Sequence, residues 1–453
     1  MNRISAAAQT NASNNSVAMS NEDILDRISA FVKSPDVEQQ LRGVTLTRQW
    51  LSLPNKENFE KDFIARGFLP ILVNGLESSN TKMQYECAVV LGFFCEGTHV
   101  DAVVKAGSIT PLIDLIASSD NGVAEVSSLT LGHIIAQNTT YRDQCLKTGI
   151  VKAFAKRMNE KASVNLLRNI TYAVAHILRD KDFSNPKEVA TLLLPGLVKL
   201  VQHEDVEVLQ ETLTAIAYLT YGNLIGMVKK TGIAEKALSL LNHKDPEVQY
   251  AAIDVLGNIS SGTDEDTQYI LDLGALPLME KFLNHPNKKL NKEAVWFLTN
   301  FLAGSEKQIQ QVFDAGYIPL VIKHLKASDF ATQQKAAKCI LNVAVYGSGK
   351  HLSTIINKNV IPALSNFMKV VEDKESKVIE LGLQAIEKIV LYSPDRKELI
   401  FDQLLMNGGI DVLQRLTKHE SEPVRMTAKV ILASLVATEH TISFHHLNIH
   451  DEV

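Results

Sequence analysis

Apolar residues recur through most of the chain at steps of three and four, and no segment sustains the strict apolar and polar alternation of a half-buried strand. In a typical stretch, Ile71, Leu72 and Leu76 follow a glycine at helical spacing; a polar break comes next, then a longer apolar helix such as EVQYAAIDVLGNIS. The break carries helix-start chemistry. Asp245-Pro246-Glu247 offers a capping carboxylate, a proline at the first helical position and an acid in the first turn, and Ser34-Pro35 and Ser421-Glu422-Pro423 carry a similar signal. The pattern predicts an all-α chain.

The same phrase, a small turn residue and then an apolar run, returns as ARGFLPILVNGL, KAGSITPLIDLI, KTGIVKAFAKRM, KTGIAEKALSLL, DLGALPLMEKFL, DAGYIPLVIKHL and NGGIDVLQRL. Its glycines are Gly67, Gly107, Gly149, Gly232, Gly274, Gly316 and Gly409; the steps 67 to 107, 107 to 149, 232 to 274 and 274 to 316 are 40, 42, 42 and 42, and 149 to 232 is 83, room for two repeats. TLLLPGLVKLV and KNVIPALSNFM fill the longer gaps without a glycine mark. A period of about 40 to 47 residues with two or three helices per unit is that of armadillo and HEAT repeats. The expected fold is therefore an α-solenoid of about nine to ten repeats in a right-handed superhelix, each unit packing on its neighbours. Residues 22–437 form this array, with a disordered N-terminal tail over 1–21 and a C-terminal tail over 438–453.

At 453 residues, 45% hydrophobic and 21% charged, the chain has ample material for such a stack. A net charge of −5 gives no electrostatic case for nucleic acid or an anionic membrane and suits basic partners. No run of eighteen apolar residues suggests membrane insertion, and no signal peptide is evident. Cys87, Cys95, Cys145 and Cys339 form no CxxC pair and read as small buried hydrophobes. GNLIG and GSGK lack the spacing and strand context of a phosphate loop, no HExxH or GxSxG occurs, and the tail histidines His440, His445, His446 and His450 fit no regular metal motif. No enzyme activity, cofactor or metal is expected.

Candidate chemistry sits on the long third helix of each unit. Trp296 and Asn300 in KEAVWFLTNFLAG lie at i and i+4 and share one helix face. The equivalent pairs are Val89 and Phe93, Leu129 and His133, Tyr172 and His176, Thr214 and Tyr218, Asp254 and Asn258, and Lys338 and Asn342. Asparagine is a poor helix-interior residue that demands hydrogen-bond partners. Its recurrence at Asn258, Asn300 and Asn342 admits two explanations: the carboxamides hold an extended ligand, or they bond the adjacent helix. Trp296 likewise reads either as core or as a slot.

The asparagine ladder, the repeat phrase and passages such as LLRNITYAVAHILRDK and NISSGTDEDTQYILDLGAL resemble the importin-α (karyopherin-α) family from roughly residue 22 to 437. That resemblance implies a nuclear import adapter, shuttling between cytoplasm and nucleus, which binds Lys/Arg-rich nuclear localisation signals of cargo proteins in its concave groove. It further implies importin-β and an export receptor as partners. Asn258, Asn300, Asn342, Trp296 and Tyr218 match the family's minor site, Glu293 matches an acid near it, and Asp254 stands where the family has arginine. A carboxamide both donates and accepts, so it can clamp a peptide backbone of any sequence, and an indole face takes a lysine or arginine stem.

The departures are equally specific. The early Trp–Asn positions hold Val89/Phe93, Leu129/His133 and Tyr172/His176, and the acidic position of the early loops aligns with Gln137; Tyr172, His176 and His133 remain as weaker peptide contacts. Lys338 replaces another tryptophan and opposes a basic peptide. The first twenty residues contain one basic residue, Arg3, where the family has a basic importin-β-binding segment. These departures keep a second class open: an armadillo scaffold for another protein partner, not coupled to importin-β.

Overall fold

The computed structural model describes residues 20–54, 57–159, 161–180, 182–221, 224–327 and 329–436. The two tails lie outside these residues except at their inner edge, where Ser20 and Asn21 open the first helix. The Ser20 hydroxyl accepts from the Asp23 N–H while the Asp23 carboxylate accepts from the Ser20 N–H, a reciprocal cap. Every regular element among the described residues is helical.

Two compact units divide the chain, Met1–Lys236 and Ala237–Val453. Long third helices recur in each. In the first unit they are Val37–Leu51, Thr81–Glu96, Asn121–Gln137, Val164–Leu178 and Val206–Leu219; in the second, Pro246–Ser260, Lys288–Phe301, Phe330–Tyr346, Ser376–Tyr392 and Glu422–Val436. One repeat of the second unit runs from the short helix Asp264–Asp272 through a turn at Gly274 to the 3-10 segment Leu276–Met279, its continuation Glu280–Leu283, and then Lys288–Phe301. The apolar faces meet inside that triangle, where Phe282, Phe297 and Phe301 have no exposed surface and the last two rings stand edge to face at 4.7 Å.

The turn between the first two helices requires one residue in the left-handed region. Gly67, Gly107, Gly149, Gly232, Gly274 and Gly316 all have φ between 73° and 95°. In the last repeat this residue is Gly408 rather than Gly409, which instead opens the helix Gly409–Leu416. The two repeats without a glycine mark are not exceptions to the geometry. Asn185 and Asn359 take the position at φ 59° and 61°, asparagine being the residue that best tolerates this conformation after glycine.

A second local rule governs the loop before the third helix. His203, His243, His285 and His419 accept through Nδ1 from the N–H two residues on, and Ser34, Ser78 and Ser118 accept through Oγ in the same way. The residue so held then caps the helix: Asp245 Oδ1 accepts from the N–H of Glu247 at 2.8 Å, and Asn287 Oδ1 from that of Lys289 at 2.9 Å. Asp36, not Ser34, therefore caps Val37–Leu51.

The turn rule has a measurable consequence. A Cβ built on Gly149 meets no atom within 4 Å, so Gly149→Ala isolates the conformational penalty of a left-handed residue, about 1–2 kcal/mol. Asn359→Gly removes part of that penalty and should be neutral or stabilising by a few tenths of a kcal/mol. Chemical denaturation of the two variants should give shifts of unequal size, with Gly149→Ala clearly the less stable.

Candidate functional site

Three third helices of the second unit pack side by side: Pro246–Ser260 on Lys288–Phe301, and that helix on Phe330–Tyr346. Their register comes from side chains that reach back one repeat. Asn300 Nδ2 donates to the Gly257 carbonyl at 2.8 Å and to Ser260 Oγ at 3.1 Å; Asn342 Nδ2 donates to the Thr299 carbonyl at 2.9 Å. Asn258 Nδ2 donates within its own helix to Asp254 Oδ1 at 3.3 Å. Asn258 and Asn342 are buried, whereas Trp296 and Asn300 are partly exposed. The donor side of the ladder thus holds the protein together. The carbonyl oxygens of Asn300 and Asn342 have no donor among the described residues and remain able to accept.

Trp296 is neither plain core nor a free blade. A Cβ on Gly257 would come within 2.2 Å of its Cζ3, so the six-membered ring rests on the bare backbone of the preceding third helix while the residue keeps some exposure. Gly257 therefore belongs to the site, although the sequence reading passed over it; the signal was the glycine immediately before the ladder position in VLGNIS.

Two acids frame the indole. Glu293 is buried and one turn before Trp296 on the same helix, and Asp254 is partly exposed one turn before Asn258. Burial pushes the Glu293 carboxyl up to about 7, with the Asp254 charge adding to the rise and Lys292, Lys335 and Lys289 opposing it. Burial also lifts Asp254 to about 6, against the hydrogen bond from Asn258. Two carboxylates held near each other away from water lack a full counter-charge. Lys338, at the position equivalent to Trp296, is exposed.

In the first unit, the Tyr172 ring meets the His176 ring edge on at 4.5 Å and the His133 ring at 6.2 Å. Gly132 makes room for it as Gly257 does for Trp296, since a Cβ there would stand 2.9 Å from the tyrosine Cδ1. All three rings are partly exposed, and so is Tyr218, on Val206–Leu219 of the same unit. Val89 and Phe93 are buried and offer no slot. The structure therefore brings Asp254, Asn258, Glu293, Trp296, Asn300 and Asn342 together within the second unit, and Tyr172, His176 and His133 together within the first.

Among the described residues no group of three or more His, Cys, Asp or Glu side chains is arranged to hold a metal ion, and no helix is long and apolar enough to cross a membrane. All four cysteines are buried free thiols.

Residues 263–303 match the armadillo/beta-catenin-like repeat model. The chain is 29% identical over 253 residues to importin subunit alpha-1b of Oryza sativa subsp. japonica, which covers 55% of this chain and 47% of that protein. It is 30% identical over 276 residues to importin subunit alpha-2 of Caenorhabditis elegans, covering 59% and 51%. The matched part spans about half the length of these curated relatives. An engineered protein solved by crystallography superposes with a TM-score of 0.79 at 26% identity, covering 92% of this chain and 99% of that one. The chain is thus an all-α protein of armadillo repeats, similar to importin α subunits.

Two outcomes follow from this geometry. Gly257→Ala forces the indole off its bed and should lower stability by about 1–3 kcal/mol in thermal or chemical melts. The acid pair sets a pH dependence. Because the folded-state values of Asp254 and Glu293 lie above the ordinary carboxylate range, their ionisation is unfavourable in the folded protein. As far as this pair is concerned, stability should be highest below about pH 4, fall as pH rises from there through about 6 to 7, and level off above. Glu293→Gln should flatten that fall and raise the melting temperature at pH 8.

Proposed function

We propose that this chain is a nuclear import adapter that binds Lys/Arg-rich signal segments of cargo proteins along the third helices of its second unit. The observation that carries the reading is the Trp296 surround. A partly exposed indole is held on Gly257, with Asp254 and Glu293 beside it and the acceptors of Asn300 and Asn342 free of donors among the described residues. An extended backbone needs partners for its N–H groups, which these oxygens supply independently of sequence. A lysine or arginine stem lies on the indole face, an interaction worth about 0.5–2 kcal/mol, and its charge meets the acid pair. The likeness to proteins named importin subunit alpha supports the same reading. Cytoplasm and nucleus are the compartments such an adapter works in, with importin-β and an export receptor as its transport partners.

Tyr172, His176 and His133 form a weaker contact surface in the first unit, where the rings meet edge on and the ladder positions hold histidine instead of a carboxamide. The buried Val89 and Phe93 favour the second reading, a scaffold that keeps the repeat stack and engages another partner without importin-β. A pull-down with importin-β, with and without a basic signal peptide, separates the two.

Trp296→Ala should weaken binding of a basic signal peptide by about 1–3 kcal/mol, read by fluorescence anisotropy, while the folded fraction retains its helical circular dichroism. Unchanged affinity in the folded fraction would make the tryptophan structural. The same titration across pH carries a sign. A bound cation favours the ionised form of Asp254 and Glu293, so affinity should fall as pH drops from 8 to 5.5, the opposite direction to the stability effect of the same pair.

A further inference from the structure

The acid-framed slot is followed, one repeat on, by its electrical opposite. Lys335 and Lys338 occupy on Phe330–Tyr346 the positions that Glu293 and Trp296 occupy on Lys288–Phe301, each pair 42 residues apart in the sequence. The two helices pack directly, and Asn342 of the one is bonded to Thr299 of the other, so the offset is fixed in space as well as in sequence. Neither lysine forms an ion pair or hydrogen bond among the described residues; Lys338 is exposed and Lys335 partly so. Lys335 lies close enough to Glu293 for its charge to bear on that carboxyl. Lys292, also without an ion pair among the described residues, lies beside Glu293 on Lys288–Phe301 and offsets part of its charge. The face therefore runs from negative at Asp254 and Glu293 to positive at Lys335 and Lys338 within one repeat.

We propose that this face selects a segment of mixed charge: a lysine or arginine against Trp296, Asp254 and Glu293, and an aspartate or glutamate a short distance along the chain against Lys335 and Lys338. The proposal rests on the binding role given to Trp296 above and adds a specificity to it. The spacing follows from geometry. Neighbouring helices pack about 8–10 Å apart and an extended chain advances about 3.3 Å per residue, so one repeat corresponds to about two to three residues of bound peptide. A uniformly basic segment places a cation over Lys338, where exposed like charges repel. A segment with an acid there gains an attraction instead. Lys338 is then a specificity-determining residue, because an exposed ammonium discriminates by charge without offering the apolar stacking that an aromatic ring in that position would give.

Fluorescence anisotropy at low salt tests this with two classes of labelled peptide of equal length. One alternates lysine and arginine throughout; the other is identical except for single glutamates placed two or three residues from a central lysine, on either side in separate syntheses. The wild-type chain should bind one of the mixed peptides about three- to tenfold tighter than the basic one, and the difference should shrink in high salt as screening sets in. Lys338→Glu should reverse the order, and circular dichroism should confirm an unchanged fold since the side chain is exposed. Trp296→Ala should weaken both peptides, placing them on the same face. If the basic peptide binds the wild type as tightly as or tighter than every mixed one, or if the preference survives Lys338→Glu, the charge selection is wrong while the adapter reading stands. If neither class of peptide binds, the adapter reading fails and this one with it.

Discussion

A helix carbonyl that already accepts from the residue four ahead has a second lone pair, and the repeats of this protein are locked together through it. Thr130 Oγ1 donates to the Ala88 carbonyl, Asn169 Nδ2 to that of Glu125, Asn300 Nδ2 to that of Gly257, Cys339 Sγ to that of Val295 and Asn342 Nδ2 to that of Thr299. Each bond runs from one third helix to the third helix of the preceding repeat. Packed apolar faces alone can slide past one another with modest loss, since burial is not directional. A buried donor that must find one carbonyl cannot, because leaving it unsatisfied costs about 1–3 kcal/mol. These bonds turn a stack of greasy helices into a ladder with a defined register, and every feature of the candidate site depends on that register.

The same dependence explains why ladder residues are difficult to classify as structural or functional. Asn300 and Asn342 use their amide hydrogens inward and leave their oxygens outward. A carboxamide divided in this way holds its own orientation before any ligand arrives, which removes an entropic cost from binding. The glycine bed beneath Trp296 works similarly. With Gly257 under it the indole is seated against a rigid helix rather than left to explore rotamers, and Gly132 gives Tyr172 the equivalent seat. Of the two explanations left open on the residues alone, the bond to the adjacent helix accounts for the amide hydrogens of Asn300 and Asn342, while their oxygens are what the proposed ligand role draws on.

The helical class and the repeat were legible because they rest on short-range signals: apolar spacing, a capping Asp245, and a turn glycine that returns at nearly constant intervals. What stayed hidden was the chemical equivalence of different residues in the same geometric role. Asn185 and Asn359 do the work of the turn glycine, and four histidines do in the later loops what serines do in the earlier ones, so a search for identical letters missed both. Gly408 and Gly409 could not be told apart without a backbone angle. In the site, Trp296, Asn300 and Asp254 were singled out by the repeat spacing, whereas Glu293 came only from the resemblance to the importin-α family. That the donors of Asn300 and Asn342 were already engaged was not legible, since a hydrogen bond to a carbonyl one repeat away leaves no local trace in the sequence.

Where a structure violates its own local preferences without visible compensation, the violation needs a cause outside the fold. Asp254 and Glu293 are such a case. Burial raises both carboxyls well above their ordinary range, each makes the other harder to ionise, and no lysine comes near enough to form a salt bridge with either among the described residues. Had the pair served only to stabilise the stack, a basic partner on the neighbouring helix would have been the simple solution, as Arg168 provides for Asp205 in the first unit at 2.6 Å. Lys335 is in the right region yet leaves Glu293 elevated. On the proposed reading, this acid pair beside a seated indole is completed by one cation. On the same reading, the exposed ammonium of Lys338 one repeat further is completed by one anion. Supplying both from a single extended segment satisfies the two deficits at the spacing that the hydrogen-bonded ladder imposes.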